Sequence, residues 1–391
     1  MKEYKYLIIG GGMTAASAVD GIREIDSTGS IGLISAETDA PYNRPPLSKA
    51  LWKGAALDFV WRDLKSKKVD FYLNTIAKEI DPQRKRVVCE NGETYSYEKL
   101  LLATGVRPKR FPFGDDSIMY FRTLSDYRNL RALTETAKRI VVIGGGFIGS
   151  EIAAALSING KSVAMIFPGE SIGDRIFPRD LSQFINQFYK QKGVEVFSSE
   201  KILGLEKKNN QYSVKTANQK DIIADGIVAG IGSLPNIELA RSAKIETVDG
   251  VLVNEFLRTS NQDIYAAGDV ATFYSPSLEK QIRVEHEDNA NTMGRMAGQN
   301  MAGKKDPYHH LPFFYSDMFE LGYEAVGELD SRLETFSDWK KPFEEGVVYY
   351  LKNGRVRGVL LWNVWGQVDA ARELIAEPGP LKFSTLKGRL K

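Results

Sequence analysis

Glycines stand at phosphate-binding spacing near the middle of the chain. Gly144, Gly146 and Gly149 follow the apolar run 140–143 directly and precede an alanine-rich pattern that is typical of a helix. A pyrophosphate binds backbone N–H groups at a helix N-terminus, and a side chain there would hold it off. Strand, glycine turn and helix form the context that a dinucleotide-binding turn requires, although a single glycine turn also occurs in ordinary loops.

A second copy of this pattern stands near the start of the chain. Gly10 and Gly12 follow an apolar run, Met13 and Thr14 continue the turn, and Ala15 takes the third glycine position, a replacement that the fingerprint permits. Two copies in the correct context indicate two bound dinucleotides. A chain needs two when one is a bound redox cofactor and the other a diffusing electron donor, and FAD with NAD(P)H is the obvious pair.

The residues after the next strand of each unit bear on which nucleotide binds. In the first unit the strand 31–35 leads to Glu37, whose carboxylate can accept from a ribose hydroxyl. In the second unit Phe167 occupies the usual acidic position, and Glu170 is the nearest charge. The sequence has no arginine pair there to bind a 2′-phosphate. This favours NADH over NADPH and leaves the choice between them open.

Three later strand ends add weaker signals whose order along the chain is informative. They are Ala103-Thr104-Gly105, the glycine and proline turn that contains Gly232, and Gly268-Asp269. The Asp269 carboxylate, at a strand end beside a glycine, can accept from a ribityl hydroxyl of a flavin. The order of the signals is the one expected if one dinucleotide domain is inserted within another.

The predicted fold is therefore of the α/β class, with two nested Rossmann-like domains and a C-terminal α+β domain. In the C-terminal part, Asn353-Gly354 between two apolar runs predicts a tight hairpin turn. The predicted domains are an FAD-binding domain over 1–114 and 245–310, an NAD(P)H-binding domain over 115–244, and a C-terminal domain over 311–391.

Composition excludes several classes of function. A chain of 391 residues predicts two or three domains. The net charge of +2, from 52 basic and 50 acidic side chains, gives no general attraction to nucleic acid. Cys89 is the single cysteine, so no intrachain disulfide can form, which fits a reducing compartment.

The sequence also predicts no transmembrane segment, since no apolar run approaches the roughly 20 residues that span a bilayer. The N-terminus enters its first strand almost at once and leaves no room for a targeting peptide. We therefore expect a cytoplasmic protein.

Four motifs carry a family resemblance that covers essentially the whole chain. They are PYNRPPLSKALW (41–52), IGGGFIGSE (143–151), VEHEDNA (284–290) and GVLLWNVWG (358–366). With them the chain resembles the flavoprotein family that contains apoptosis-inducing factor and the NAD(P)H-dependent ferredoxin and rubredoxin reductases. The resemblance implies that PYNRPPLSK lies along the flavin. Related disulfide reductases carry two cysteines in this part of the chain, and this sequence has none, so electrons must leave the flavin directly.

The resemblance also implies roles for several charged residues. Lys49 would stabilise the negative charge on the reduced flavin, and Glu151 would be its partner. The alternative is a solvated loop lysine and a surface acid on the helix. Arg44 and Arg122 match positions that face the FAD pyrophosphate or ring. For Arg122 a role as a surface arginine is equally compatible with the sequence.

The remaining predicted site residues lie around the flavin and nicotinamide rings. Phe147 and Ile148 would form an apolar ledge beneath both planes, although simple helix packing is an alternative. Glu285 and His286 open a helical run whose N-terminus would face the flavin pyrimidine carbonyl. Tyr315 stands where the family commonly has tryptophan beside the isoalloxazine. Ala77 completes the predicted FAD contacts.

No metal site is predicted. His309 and His310 are adjacent, so they do not face one site, and no cysteine or carboxylate cluster joins them at ligand spacing.

The resulting hypothesis is an FAD-dependent NAD(P)H oxidoreductase that reduces a ferredoxin, a rubredoxin or a quinone. One alternative is a membrane-surface NADH:quinone oxidoreductase, which would need the short basic tail 381–391 for docking. That tail is expected to fray or to pack weakly. Another alternative is a slow NADH oxidase like apoptosis-inducing factor, in which NADH controls dimerisation and partner binding. The long insertion of the animal protein in the third domain is absent from this sequence, which weakens a death-signalling role.

Overall fold

The computed structural model describes residues 1–209 and 211–390. It divides the chain into two compact units, each made of three segments. The first unit comprises Met1–Arg44, Leu57–Arg107 and Leu234–Pro312, and the second comprises Pro45–Ala56, Pro108–Ser233 and Phe313–Lys391. The segment that carries Lys49 thus groups with the second unit. The predicted division into three domains, with boundaries at 114, 244 and 310, stays a prediction.

The described strands and helices follow one another along the chain with short connections. The strands are β1 (Lys2–Ile9), β2 (Ile31–Ile34), β3 (Val69–Tyr72), β4 (Ala77–Asp81), β5 (Arg86–Cys89), β6 (Thr94–Leu102), β7 (Val106–Pro108), β8 (Met119–Tyr120), β9 (Arg139–Ile143), β10 (Ser162–Ile166), β11 (Val194–Phe197), β12 (Ile202–Lys208), β13 (Gln211–Thr216), β14 (Asp221–Ala224), β15 (Gly226–Ala229), β16 (Ser233–Pro235), β17 (Thr247–Val248), β18 (Gly250–Leu252), β19 (Ile264–Ala266), β20 (Ala271–Ser275), β21 (Lys280–Ile282), β22 (Phe313–Met318), β23 (Leu321–Gly327), β24 (Glu334–Lys341), β25 (Glu345–Lys352) and β26 (Arg355–Trp362). The α-helices are α1 (Met13–Ile25), α2 (Leu124–Thr136), α3 (Phe147–Ile158), α4 (Arg179–Gln191), α5 (Glu238–Ser242), α6 (Glu287–Met301), α7 (Val368–Ala376) and α8 (Phe383–Leu386). Short 3₁₀ turns cover Pro45–Leu47, Ala50–Lys53, Leu57–Val60, Lys65–Lys67, Asp115–Ser117 and Gly268–Val270.

The first unit is built around a largely parallel sheet in the order β3-β2-β1-β6-β5-β4, with β19 also paired to β6. Its central strands are buried apolar runs, as expected where both faces of a parallel sheet are covered. Helices α1 and α6 pack closely because glycines let their backbones approach. A Cβ at Gly294 would lie 2.4 Å from the Thr14 carbonyl oxygen, and one at Gly298 would lie 2.1 Å from that of Ala18. A smaller sheet, in the order β17-β18-β20-β21, completes this unit.

The second unit contains its own parallel sheet, in the order β11-β10-β9-β15-β8, and the antiparallel sheet β12-β13-β14. Its C-terminal part is a five-stranded antiparallel sheet in the order β22-β23-β26-β25-β24. The turn between β25 and β26 has positive φ at both Asn353 (53°) and Gly354 (72°), and Lys352 pairs with Arg355 across it. The predicted hairpin and the predicted α/β class with two Rossmann-like sheets are therefore confirmed.

The C-terminal tail packs more firmly than the sequence suggested. Leu386 is fully buried, Leu390 is 5% exposed, and the Phe383 ring stacks on Phe336 at 5.0 Å between centroids. The Gly388 N–H donates to Asp338 at 2.6 Å. The expectation that the tail frays or packs weakly is wrong, because two of its leucines are buried and Phe383 and Gly388 contact the outer strand β24 of the C-terminal sheet. Across residues 1–209 and 211–390, none of the helices combines the length and the apolar character needed to cross a bilayer.

Candidate active site

The first glycine turn joins β1 to α1 in the first unit. Gly10 has φ of +125°, and a Cβ there would lie 2.1 Å from the Ala103 carbonyl oxygen, so only glycine fits. Gly12 is the N-cap of α1. This helix, which lies wholly within the described part of the chain, begins without a side-chain cap and without an acidic residue in its first turn. Met13 is the first helical residue and Ala15 is fully buried. The N–H groups and positive end of the dipole thus remain available for an anion.

The second glycine turn joins β9 to α3 in the second unit with the same geometry. Gly144 has φ of +122°, and a Cβ at Gly149 would lie 2.0 Å from the Gly144 carbonyl oxygen. A Cβ at Gly146 would meet nothing within 4 Å. Gly149 is therefore required for packing of the helix on the turn, whereas Gly146 faces open space at the N-terminus of α3. This difference separates a structural glycine from one that would admit a phosphate.

The two side chains that follow Gly146 are partly exposed. Phe147 and Ile148 are each 38% exposed, and the Phe147 ring lies 5.2 Å from that of Phe314 in an edge-on contact. Packing accounts for part of the Phe147 surface. The remaining exposed area of both residues fits the predicted apolar ledge, which stays a prediction.

The acidic position of the first unit is occupied as expected. Glu37 accepts a hydrogen bond from the Tyr42 hydroxyl at 2.6 Å and forms an ion pair with Arg44. The Arg44 Nη2 atom lies 3.9 Å from the place that a Cβ on Gly12 would take. Three residues predicted to bind FAD, Gly12, Glu37 and Arg44, are thus brought together beside the start of α1.

In the second unit, the position that corresponds to Glu37 holds an apolar residue, Phe167. Phe167 is buried, and a Cβ at Gly145 would lie 2.9 Å from its ring. The Glu170 side chain is 72% exposed and its carboxylate lies 3.5 Å from an Arg179 nitrogen. Phe167 therefore supports the turn by packing, and Glu170 remains the acidic group closest in sequence. Gly232, also predicted to contact NAD, has φ of +99° and accepts from the Lys109 N–H at 2.9 Å.

The Lys49–Glu151 pair is formed within the second unit. Lys49 Nζ lies 2.7 Å from Glu151 Oε2, and the two side chains are 12% and 3% exposed. The Tyr315 ring centroid is 5.3 Å from the same ammonium. Three of the five predicted catalytic residues are therefore brought together. The alternative of a solvated lysine and a surface acid is wrong, because Glu151 is buried and the Lys49 side chain is only 12% exposed.

Two residues of this cluster were missed from the sequence. The Ser48 hydroxyl donates to Glu151 Oε2 at 2.5 Å, and the Ser316 hydroxyl donates to Oε1 at 2.6 Å. The only signal in the sequence was adjacency to predicted site residues, since Ser48 precedes Lys49 in the PPLSK motif and Ser316 follows Tyr315. Both oxygens of the buried carboxylate thus have donors, as an ionised group in the protein interior requires.

The other two predicted catalytic residues lie in the first unit. Arg283 Nη1 donates to the Asp269 carbonyl oxygen at 3.0 Å and to Glu285 Oε1 at 2.8 Å. His286 is the N-cap of α6, so the helix begins one residue after it. Burial lowers the pKa of His286 to about 4, although the charges of Asp269, Glu285 and Asp288 oppose this shift. At neutral pH the imidazole is therefore uncharged.

The end of β19 comes against the first turn of α1. Gly268 has φ of +75°, and a Cβ there would lie 2.1 Å from Thr14 Oγ1. This brings Asp269 close to the first glycine turn, in agreement with the predicted order of motifs. The Thr104 hydroxyl donates to the Asn236 carbonyl oxygen at 2.9 Å, next to Gly105, which has φ of +61°.

Two further predicted FAD contacts, Ala77 and Arg122, lie on other elements. Ala77 lies in the outer strand β4, opposite Cys89. Arg122 belongs to the second unit, and its N–H donates to Asp126 at the start of α2. Their assignment to FAD stays a prediction. Burial raises the pKa of the Cys89 thiol to about 11, with a smaller contribution from Glu93, so this cysteine stays protonated.

Comparison with known proteins decides the family. The profile described as "Pyridine nucleotide-disulphide oxidoreductase" matches residues 4–294. The chain belongs to this family. A second profile, described as "Apoptosis-inducing factor, mitochondrion-associated, C-term", matches residues 297–345 and 336–377. The family relationship inferred from the four motifs is thereby confirmed, and the chain is an oxidoreductase that uses FAD and NAD(P)H.

Curated relatives include both branches of the resemblance. Apoptosis-inducing factor 1, mitochondrial, from Dictyostelium discoideum is 36% identical over 96% of this chain and 79% of its own length. The ferredoxin–NAD(+) reductase component of the anthranilate 1,2-dioxygenase system from Burkholderia cepacia is 31% identical over 96% of this chain and 95% of its own. Among solved structures, the covalent putidaredoxin reductase–putidaredoxin complex has a TM-score of 0.92 at 28% identity, covering 99% of this chain and 96% of the other.

Proposed function

We propose that this protein transfers electrons from NAD(P)H through FAD directly to a ferredoxin- or rubredoxin-type protein or to a quinone. The observation that carries the proposal is the pair of glycine-started helices, α1 and α3, each of which begins without a side-chain cap. Both N-termini suit a pyrophosphate, because their N–H groups and dipoles favour an anion and their glycines leave room for it. Bound FAD would accept two electrons from the nicotinamide and release them to the acceptor.

The first unit would hold FAD. Its adenosine ribose would lie at Glu37, its pyrophosphate at the Gly10–Ala15 turn with Arg44, and its ribityl chain at Asp269. Arg44 can fork onto phosphate oxygens because its guanidinium already lies beside the open space at Gly12. Binding FAD would then require Arg44 to exchange part of its ion pair with Glu37 for the phosphate.

The second unit would hold NAD(P)H on α3, with the pyrophosphate over Gly146 and the nicotinamide near Phe147 and Ile148. We propose NADH as the preferred donor. Glu170 supports this choice, because a carboxylate accepts from a ribose 2′-hydroxyl and repels a 2′-phosphate.

Lys49 would favour reduction, since a buried ammonium stabilises negative charge that develops nearby. Glu151 keeps that ammonium in place, and its two serine donors satisfy the carboxylate. His286 would contribute as a neutral imidazole at the N-terminus of α6, where the helix dipole supplies the positive field. Hydride transfer needs positioning more than an acid, so no proton transfer is assigned to it.

A dithiol relay is incompatible with the chain's single cysteine. Cys89 is buried with a raised pKa, so it is not a redox nucleophile either. Electrons would thus pass from the flavin to the acceptor without a sulfur intermediate. The named ferredoxin and putidaredoxin reductases among the relatives support an iron–sulfur protein as acceptor. A cytoplasmic location is the companion proposal, supported by the single thiol.

The proposal is tested by stopped-flow reduction of the purified protein with NADH and with NADPH, followed by mixing with a ferredoxin, a rubredoxin and a soluble quinone. We expect faster reduction by NADH and rapid reoxidation by at least one acceptor. A reduced protein that none of the three reoxidises faster than dioxygen does would contradict the proposed electron transfer.

A second candidate function is slow NADH oxidation that controls dimerisation and partner binding. The match of residues 297–345 and 336–377 to the C-terminal profile of apoptosis-inducing factor favours it. This candidate predicts a long-lived complex of reduced protein with NAD⁺ and a shift from monomer to homodimer when NADH is added. Light scattering with and without NADH distinguishes the two, because rapid turnover at constant mass supports the reductase.

A further inference from the structure

The hydroxyls of Ser48 and Ser316 bind opposite oxygens of one buried carboxylate. Ser48 lies 2.5 Å from Glu151 Oε2, and Ser316 lies 2.6 Å from Glu151 Oε1. The Lys49 ammonium shares Oε2 at 2.7 Å. The three segments that meet here are far apart in the chain but belong to the same unit. The carboxylate is thus held by three donors rather than by the lysine alone.

The surroundings of this carboxylate make its hydroxyl donors necessary. Glu151 is 4% exposed, and the two tyrosines that its charge affects, Tyr189 and Tyr323, are themselves buried. Burial raises the pKa values of Tyr189 and Tyr323 well above the usual range, and the charge of Glu151 raises them further. Water therefore supplies little compensation, and a buried carboxylate with an unsatisfied oxygen is costly. Ser316 donates to Oε1, whereas the 2.7 Å contact of Lys49 is with Oε2.

We propose that Ser48 and Ser316 are positioning residues that fix the Glu151 carboxylate and, through it, the Lys49 ammonium. The inference rests on the proposed function, in which Lys49 favours reduction of bound FAD. Loss of either hydroxyl lets the carboxylate rotate away from its present orientation. The ammonium then follows its partner and no longer stands at the place where it stabilises the reduced flavin.

The test is a set of double-mutant cycles on the complete FAD-loaded protein. Ser48→Ala and Ser316→Ala are each made in the wild-type and the Lys49→Met background. Ser182→Ala is the matched control, since that buried hydroxyl donates at 3.0 Å to the Arg179 carbonyl oxygen on α4. The midpoint potential of the flavin and the rate of its anaerobic bleaching by NADH are measured for each variant.

Each serine variant should lower the potential and slow bleaching about tenfold, which corresponds to about 1.4 kcal/mol. Neither should change the potential or the rate further in the Lys49→Met background, because both hydroxyls act through that ammonium. Serine-to-threonine replacement, which keeps the hydroxyl, should restore the wild-type potential, and the Ser182 control should leave it unchanged. Equal effects in the two backgrounds, or unchanged potentials, would overturn the proposal.

Unfolding of the apoprotein in urea supplies a readout that does not depend on FAD. Ser316→Ala should lower the urea midpoint in the wild-type background and lower it by less when Glu151 is replaced by leucine, because only the hydrogen bond to Tyr323 then remains to be lost. An equal loss in both backgrounds would refute the hydrogen bond as the cause. A wild-type protein that NADH fails to bleach refutes the proposed function and the positioning role together, whereas normal bleaching with unaltered serine variants refutes the positioning role alone.

Discussion

Gly146 and Gly149 stand three residues apart in one turn, yet alanine should affect them in opposite ways. A Cβ at Gly149 would lie 2.0 Å from the Gly144 carbonyl oxygen, about 1.4 Å short of ordinary contact. The obstacle is backbone, so α3 must move away from the turn. A Cβ at Gly146 meets nothing within 4 Å, and its φ of −90° suits alanine. Alanine variants at the two positions therefore distinguish a glycine that is needed for packing from one that is needed for ligand binding.

We predict that Gly149→Ala lowers the free energy of unfolding by about 1–3 kcal/mol, the usual cost of overpacking. The gain from replacing a helical glycine, about 0.5–1 kcal/mol, offsets part of this. Because Glu151 lies two residues further along α3, its 2.7 Å contact with Lys49 should also be disturbed. Gly146→Ala should change the stability by less than about 1 kcal/mol.

The affinity for NADH, unlike the stability, should depend on the glycine at position 146. In Gly146→Ala the methyl group would occupy the space proposed for the pyrophosphate, and we expect the Kd for NADH to rise at least about tenfold, or about 1.4 kcal/mol. Urea unfolding followed by circular dichroism and NADH titration followed by fluorescence quenching measure the two quantities. The reasoning is refuted if Gly149→Ala is as stable as Gly146→Ala, or if Gly146→Ala binds NADH like the wild type.

Three further predictions concern single side chains. Lys49→Met and Glu151→Gln should each destabilise the apoprotein by about 3–5 kcal/mol, because each leaves a buried charge without its partner. In urea unfolding, the double variant should lose less stability than the sum of the two single losses. The pKa of His286 is lowered from 6.5 to about 4, so between these pH values the unfolded chain binds a proton that the folded chain does not. The free energy of unfolding should therefore fall by up to about 3 kcal/mol as the pH drops from 6.5 to 4. Thermal unfolding at several pH values should show a weaker fall in His286→Gln, and an identical pH dependence would contradict the assignment. Cys89→Ala should leave NADH-driven reduction of every acceptor unchanged in steady-state assays, whereas a large loss would point to a sulfur relay.

The glycine turns were predictable because their requirement is local. At these positions φ is positive, and a Cβ would lie about 2 Å from a carbonyl oxygen, so only glycine fits. The sequence therefore shows the requirement directly, as a glycine at that position. Gly10 and Gly144 meet this requirement in the two units. The hairpin at Asn353-Gly354 was predictable for the same reason. Such motifs specify turns, and the order of turns specifies the nested topology.

The donors of Glu151 could not be predicted in the same way. Ser48 and Ser316 lie 103 and 165 residues from it along the chain, and an isolated serine has no pattern that marks a buried hydrogen bond. The tail was misjudged for a related reason. Leu386 and Leu390 look like scattered apolar residues in a basic segment, and their burial depends on the rest of the C-terminal domain, which the tail itself does not encode.

The central claim is that this chain binds FAD, accepts electrons from a reduced pyridine nucleotide and needs no thiol to do so. Anaerobic titration of the FAD-reconstituted protein with NADH, followed by the visible absorbance of the flavin, tests it most directly. The account predicts complete bleaching at one NADH per flavin, both in the wild type and in Cys89→Ala. A protein that does not retain FAD, or whose bound flavin keeps its colour with excess NADH, would contradict it.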